Sequence, residues 1–203
     1  MDRLRHLIGV ATLLAVVACD DPAPSGEAPK RFAAVKKEAA RAAAVKFCEQ
    51  TFDAGARKWS TPPEQPLPGP VKADANPSGK AWTWVNLWAS WCGPCVEELP
   101  LLSNWKAALQ KEGVPLKVEL WSIDSEADAM KGALAERPYP GAVHWLRSEE
   151  DLPGLLGSLG LPEDAAIPVH GLVDPSGHLR CVRVGKVGAA NYPSIKTIVS
   201  ELM

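Results

Sequence analysis

Apolar positions fall into a few distinct patterns along the chain. Residues 7–17 are an almost unbroken apolar run behind Arg3 and Arg5, the layout of a secretory signal. The run is shorter than the roughly 20 apolar residues that cross a bilayer, which disfavours a permanent membrane helix. From 31 to about 58, Phe32, Val35, Ala39, Ala42, Val45, Cys48 and Phe52 recur three or four apart. That spacing predicts a helix with one apolar stripe that docks on the rest of the fold. A free-standing spacer helix would not need Phe and Cys on that stripe. Residues 60–80 hold six prolines and read as irregular or edge-like. Residues 81–89, AWTWVNLWA, are nearly all apolar and predict a central strand buried on both faces. A helix over 95–112 stopping at Gly113 and a strand over 116–123 follow. Ser125-Glu126-Ala127-Asp128 offers an N-cap for a helix to about 135. Next come a strand over 142–146 and a short helix over 149–159. A hairpin of 171–173 and 179–184 turns at Asp174-Pro175-Ser176-Gly177, and Pro193 opens a last helix. Strand, helix, strand, then hairpin and helix, imply an α/β sandwich with a mixed central sheet flanked by helices, plus an added N-terminal helix.

Composition narrows this further. In 203 residues, 46% hydrophobic and 23% charged with a net charge of -2, there is enough apolar material for a core and no basic surplus for nucleic acid. The end of the apolar run, Leu14-Ala15-Val16-Val17-Ala18-Cys19, resembles a bacterial lipobox, in which the cysteine carries a diacylglycerol. Ordinary cleavage after Ala18, leaving Cys19 a free thiol, is the plainer alternative. Asp20 resembles the residue that retains some lipoproteins at the inner membrane. The resulting division is a lipoprotein signal peptide over 1–18, a flexible tether over 19–30, an N-terminal helix over 31–58 and a folded domain over 59–203. Export places the domain where disulfides form.

The candidate chemistry lies in Trp91-Cys92-Gly93-Pro94-Cys95, between the buried strand and the next helix. At this spacing two cysteines can close a small disulfide ring, and the first sits where free helix N–H groups favour an anion. Cys92 is then the attacking thiolate and Cys95 the resolving thiol. A zinc site would need two further ligands. Cys48, Cys181, His144, His170 and His178 do not lie at ligand spacing, so no metal or cofactor is expected. A structural disulfide is the other alternative, disfavoured by Gly-Pro inside the ring.

The segment NLWASWCGPC, 86–95, resembles the thioredoxin active site, and VNLWASWCGPCVEELPLL resembles the TlpA/ResA family of membrane-tethered thiol-disulfide oxidoreductases. Its distinctive parts are the WCGPC core, Glu98 ahead of Leu99-Pro100, and Ile167-Pro168 ahead of Leu172-Val173-Asp174. The resemblance implies a thioredoxin-like fold over about 80–203. It also implies a cis-proline at Pro168 facing the cysteines, a helix bend at Pro100, and a carboxylate at Glu98 that tunes Cys95 or carries its proton. An exposed helix glutamate is the alternative for Glu98. Where thioredoxin has a buried Asp this chain has Asn86, which cannot serve as a base. His170 stands where relatives often carry Thr; facing the cysteines it could shift their pKa or bind a metal, and a surface or hydrogen-bonded histidine is the plainer reading.

With Cys19 given to lipid and Cys92 with Cys95 to catalysis, Cys48 and Cys181 remain as an expected structural disulfide between the N-terminal helix and the hairpin. The resemblance then implies a reductase of client-protein disulfides facing the periplasm in the bacterial envelope, where the lipobox at Cys19 implies a lipid anchor and Asp20 the inner rather than the outer membrane. Cytochrome c or copper-oxidase assembly proteins are the implied clients, and a membrane thiol carrier of the DsbD/CcdA kind the electron donor. A DsbA-like oxidase and a copper metallochaperone using the same cysteines are the competing readings.

Overall fold

A computed structural model describes residues 27–202, with side chains from residue 30; the signal segment and Cys19 lie outside the described residues. Helix α1 (Glu27–Phe47) leads through β1 (Gln50–Thr51) and β2 (Glu64–Gln65) to the central strand β3 (Trp82–Trp88). Helix α2 (Gly93–Lys111), β4 (Leu116–Ser122), α3 (Ala127–Glu136), β5 (Ala142–Leu146) and α4 (Leu152–Ser158) follow. The chain ends with β6 (Val169–Val173), β7 (Leu179–Val184) and α5 (Tyr192–Glu201). The sheet order is β1-β7-β6-β3-β4-β5-β2. Strands β3, β4 and β5 run parallel through α2 and α3, and the β6–β7 hairpin pairs antiparallel on the other side of β3. This is the thioredoxin-like arrangement, extended by a short strand at each edge.

Period-two alternation on β3 divides the core. Trp82, Trp84 and Trp88 face a cluster built with α2, α3, α5 and the end of α1, while Val85 and Leu87 face a second cluster with α4. The irregular segment before β3 is tied down by Lys106 of α2. Its buried ammonium donates to the carbonyls of Ala75 and Pro140, both at 2.8 Å, and to Asn76 Oδ1 at 3.0 Å. Such full pairing is what lets a lysine be buried.

Three expectations are corrected. The N-terminal helix does not run from 31 to 58: it begins by Glu27, inside the expected tether, and ends at Phe47. It must stop there because Cys48 turns toward β7 and Gln50–Thr51 pair with Val182 and Cys181. The Arg183 guanidinium also donates to the terminal Phe47 carbonyl at 3.0 Å. The expected stripe is not the docking face either, since Phe32, Val35 and Val45 are 71%, 67% and 76% exposed. Ala40, Ala44 and Phe47 are buried instead, small side chains allowing close approach to α5 and Phe47 meeting Trp84 edge-on. Helix α3 opens after Glu126 without any side-chain cap, so the Ser125 cap is not formed.

Cys48 and Cys181 are bonded, with Cα atoms 5.5 Å apart and a sequence separation of 133. A loop of that size constrains the unfolded chain strongly, worth about 5 kcal/mol by chain entropy and often less in practice. Replacing both with Ala is expected to lower the unfolding free energy by about 2 to 5 kcal/mol, read from denaturant midpoints of the oxidised protein.

Candidate active site

β3 delivers the chain through Ala89, Ser90 and Trp91 to Cys92, which caps α2 in extended backbone (φ -86°, ψ 93°). Its Sγ accepts the Cys95 N–H at 3.3 Å, so sulfur stands where a capping oxygen usually does. Cys92 and Cys95 are bonded to each other. Once that bond opens, the helix terminus favours the Cys92 thiolate over the thiol. Pro94 lies in the first turn, where the missing N–H costs no helical hydrogen bond, and Pro100 sits inside the helix. Cys95 is buried, Cys92 nearly so, and Trp91, Gly93 and Pro94 around them are exposed. A partner therefore reaches the pair across an open rim.

The turn is anchored by Asp124, a residue that sequence patterning did not single out. Its carboxylate accepts the Ser90 N–H at 3.0 and 3.1 Å, the Ser90 hydroxyl at 2.5 Å and the Ser122 hydroxyl at 2.6 Å. The Trp145 indole donates to its carbonyl at 2.6 Å. An acidic residue two positions after a parallel strand, on the sheet end that carries the cysteines, was the available signal.

The Ile167-Pro168 peptide bond is cis, and the register Leu87↔Val169 brings Pro168 to the same end of the sheet. The Gly185 N–H donates to the Pro168 carbonyl at 2.8 Å.

Behind the cysteines lies a polar row, buried at Asn86 and His170 and half-buried at Arg183. Asn86 of β3, His170 of β6 and Arg183 of β7 are successive cross-strand partners. Glu98, one turn after Cys95, descends onto this row from α2 and is only 1% exposed, so it is not the exposed glutamate of the alternative reading. The Asn86 amide donates to Glu98 Oε1 at 2.9 Å and the Val187 N–H to Oε2 at 3.0 Å. Burial pushes the Glu98 pKa up to about 7, opposed by those two hydrogen bonds and by the Lys186 and Arg183 charges. His170 is fully enclosed, and burial pushes its pKa down to about 3; the Gly185 backbone opposes this and Arg183 adds to it. The Trp84 indole N–H donates to His170 Nδ1 at 3.1 Å. His170 is thus a hydrogen-bonded core histidine rather than a surface one. The site gathers a disulfide at a helix N-terminus, a cis-proline at the same sheet end, and a carboxyl group one turn behind that can hold or release a proton near neutral pH.

No family model matches the chain, and no curated protein matches it. Among solved structures, a Chlorobium tepidum protein assigned as thiol:disulfide interchange protein DsbE is 26% identical, covering 61% of this chain and 82% of that one at a TM-score of 0.49. A thioredoxin-related protein from Neisseria meningitidis serogroup B is 22% identical, with 61% and 87% covered and a TM-score of 0.49. StoA from Bacillus subtilis is 16% identical, with 59% and 83% covered and a TM-score of 0.41.

Proposed function

We propose that this protein is a thiol-disulfide oxidoreductase that reduces disulfides in exported client proteins, held in the bacterial envelope by a lipid on Cys19. The observation that carries the redox reading is the Cys92–Cys95 pair at the start of α2, with Cys92 Sγ already accepting a helix N–H. In the reduced enzyme the Cys92 thiolate attacks a client disulfide, forming a mixed disulfide and releasing one client thiolate, which takes up a proton. The Cys95 thiol then gives its proton to the Glu98 carboxylate, and the resulting thiolate attacks Cys92 Sγ. The Cys92–Cys95 bond closes, the second client sulfur leaves and takes the proton, and two electrons have passed to the client. A membrane dithiol carrier of the DsbD/CcdA kind restores the reduced pair, since the surrounding compartment is oxidising. Clients of the haem-site or copper-site dithiol kind are those that the resemblance to the TlpA/ResA family implies.

Cys92→Ser is expected to abolish turnover, and Cys95→Ser to trap the client as a mixed disulfide visible on non-reducing gels. Full activity in Cys92→Ser would overturn the mechanism. The potential of the pair, measured in defined thiol buffers, fixes the direction: a value near about -270 mV fits a reductase, and one near about -120 mV makes the protein an oxidase instead.

Glu98→Gln tests the proton acceptor. It is expected to slow resolution of the mixed disulfide by about 100-fold while leaving the first attack intact. The variant also has a signature in stability. A carboxyl group whose native pKa is raised to about 7 contributes stability that is present below about 4.5 and lost as pH rises through 7. His170, held neutral, has the opposite slope between 6.5 and 3, so the two nearly cancel in wild type from pH 4.5 to 6.5. The Gln variant should therefore gain on wild type by roughly 3 kcal/mol between acidic and neutral pH in urea titrations. A pH-independent difference would remove Glu98 from the titration.

A further inference from the structure

We propose that His170 is a positioning residue for the proton step at Cys95: its neutral ring holds the Asn86 amide in the one orientation that donates to Glu98. The inference deepens the exchange reading above and rests on it. It follows from hydrogen-bond valence. An indole nitrogen can only donate, so the Trp84 contact at 3.1 Å makes His170 Nδ1 an acceptor. The Asn86 atom 3.1 Å from that same Nδ1 must then be a donor, its Nδ2, and this nitrogen also lies 2.9 Å from Glu98 Oε1. The amide directs one hydrogen at Nδ1, where it shares the nitrogen's single lone pair with the Trp84 N–H, and the other at the carboxylate. The ring proton is left on Nε2, which faces Glu98 Oε1 at 3.5 Å, beyond hydrogen-bond distance, and the Gly185 backbone also favours a proton on the ring.

Among the described residues the Glu98 carboxylate accepts from Asn86 on β3 and from the Val187 N–H beyond β7, and His170 on β6 turns its protonated Nε2 toward it at 3.5 Å. Arg183 on β7 and Lys186 in the following loop add positive charge, and α2 contributes the cysteine pair itself. This environment keeps a buried carboxyl group ionisable instead of permanently protonated. Without the ring, the amide is free to turn its Oδ1 toward Glu98 and accept a hydrogen bond from the acid form, which favours protonation. Asn86 Oδ1 has no hydrogen-bond partner among the described residues, so no bond at that end of the amide resists the turn.

The test is stopped-flow single turnover with a small disulfide substrate, separating the first attack from resolution across pH. His170→Leu is expected to raise the pKa of resolution by about one unit, slowing it about fivefold at pH 7 and about tenfold below pH 6, with the first attack unchanged. His170→Gln supplies an acceptor and a donor and should stay within about half a unit of wild type. A Leu profile that superimposes on wild type overturns the proposal, and so does equal slowing of both steps or a Gln variant that behaves like Leu, either of which marks a packing role. The imidazole 15N shifts of the wild-type protein decide independently of any variant's folding. A fixed Nε2–H tautomer from about pH 5 to about pH 9, with Nε2 following a titration near 7, is expected, and a ring that titrates or carries its proton on Nδ1 sinks the idea. If wild type performs no exchange at all, the functional reading fails, while the 15N result still reports on the hydrogen-bond assignment.

Discussion

Glu98 places a carboxyl group on the sheet-facing side of α2, where burial is tolerable only if donors meet both oxygens. Those donors come from three elements far apart in sequence, so the register of the sheet matters to the site. Asn86, His170 and Arg183 share one cross-strand row, and the loop after β7 must return close enough for the Val187 N–H to reach Oε2. Glu97 pairs with Lys186 on the same loop, clamping it from the outside of the helix. A slip of one residue between β3 and β6 would turn His170 to the opposite face and leave the carboxylate without its supporting row.

The same helix serves the reaction at two depths. At its first turn the free N–H groups favour a sulfur anion, and one turn later the Glu98 carboxyl group waits behind the buried second sulfur. The N-terminal helix supports this arrangement indirectly. Arg183, whose charge bears on both Glu98 and His170, donates to the Phe47 carbonyl and lies over the Phe47 ring, so the end of α1 fixes where that charge sits. The Cys48–Cys181 bond lies two residues away on β7 and on the same face of the sheet. What looks like a remote staple thus adjoins the electrostatic surroundings of the proton acceptor.

Much of this was legible in the chain because the signals were local. The apolar run 81–89, the Cys92–Cys95 spacing, the turn at 174–177 and Pro193 each specify a structure within a few residues, and the elements appear close to where they were expected. The N-terminal helix departs from its apolar periodicity for a physical reason. Period 3.6 finds large apolar residues, but this helix docks through Ala40 and Ala44, whose small size permits close contact, and leaves Phe32 and Val35 in solvent. Its end depends on a disulfide, a strand pairing and an arginine contact, all made with residues at least 130 positions away. Asp124 and Lys106 carry no local signal for a related reason: each is an ordinary charged residue in sequence and becomes structural only when polar groups from separate segments converge on it.

Asn86 shows why a departure from thioredoxin can be informative. Position 86 holds a buried Asp in thioredoxin and an amide here, 2.9 Å from Glu98. Two carboxylates at that distance could not both ionise; one pKa would rise steeply, and the pair would share a proton. An acid on α2 therefore requires the residue on β3 to be neutral and, better, to donate. Asn meets that requirement only in one of its two amide orientations, and the group that distinguishes them is the acceptor on the next strand. Seen this way, Asn86, Glu98 and His170 form one interdependent set: the acid has moved from strand to helix, the amide has replaced it, and the imidazole sets which end of the amide the acid meets.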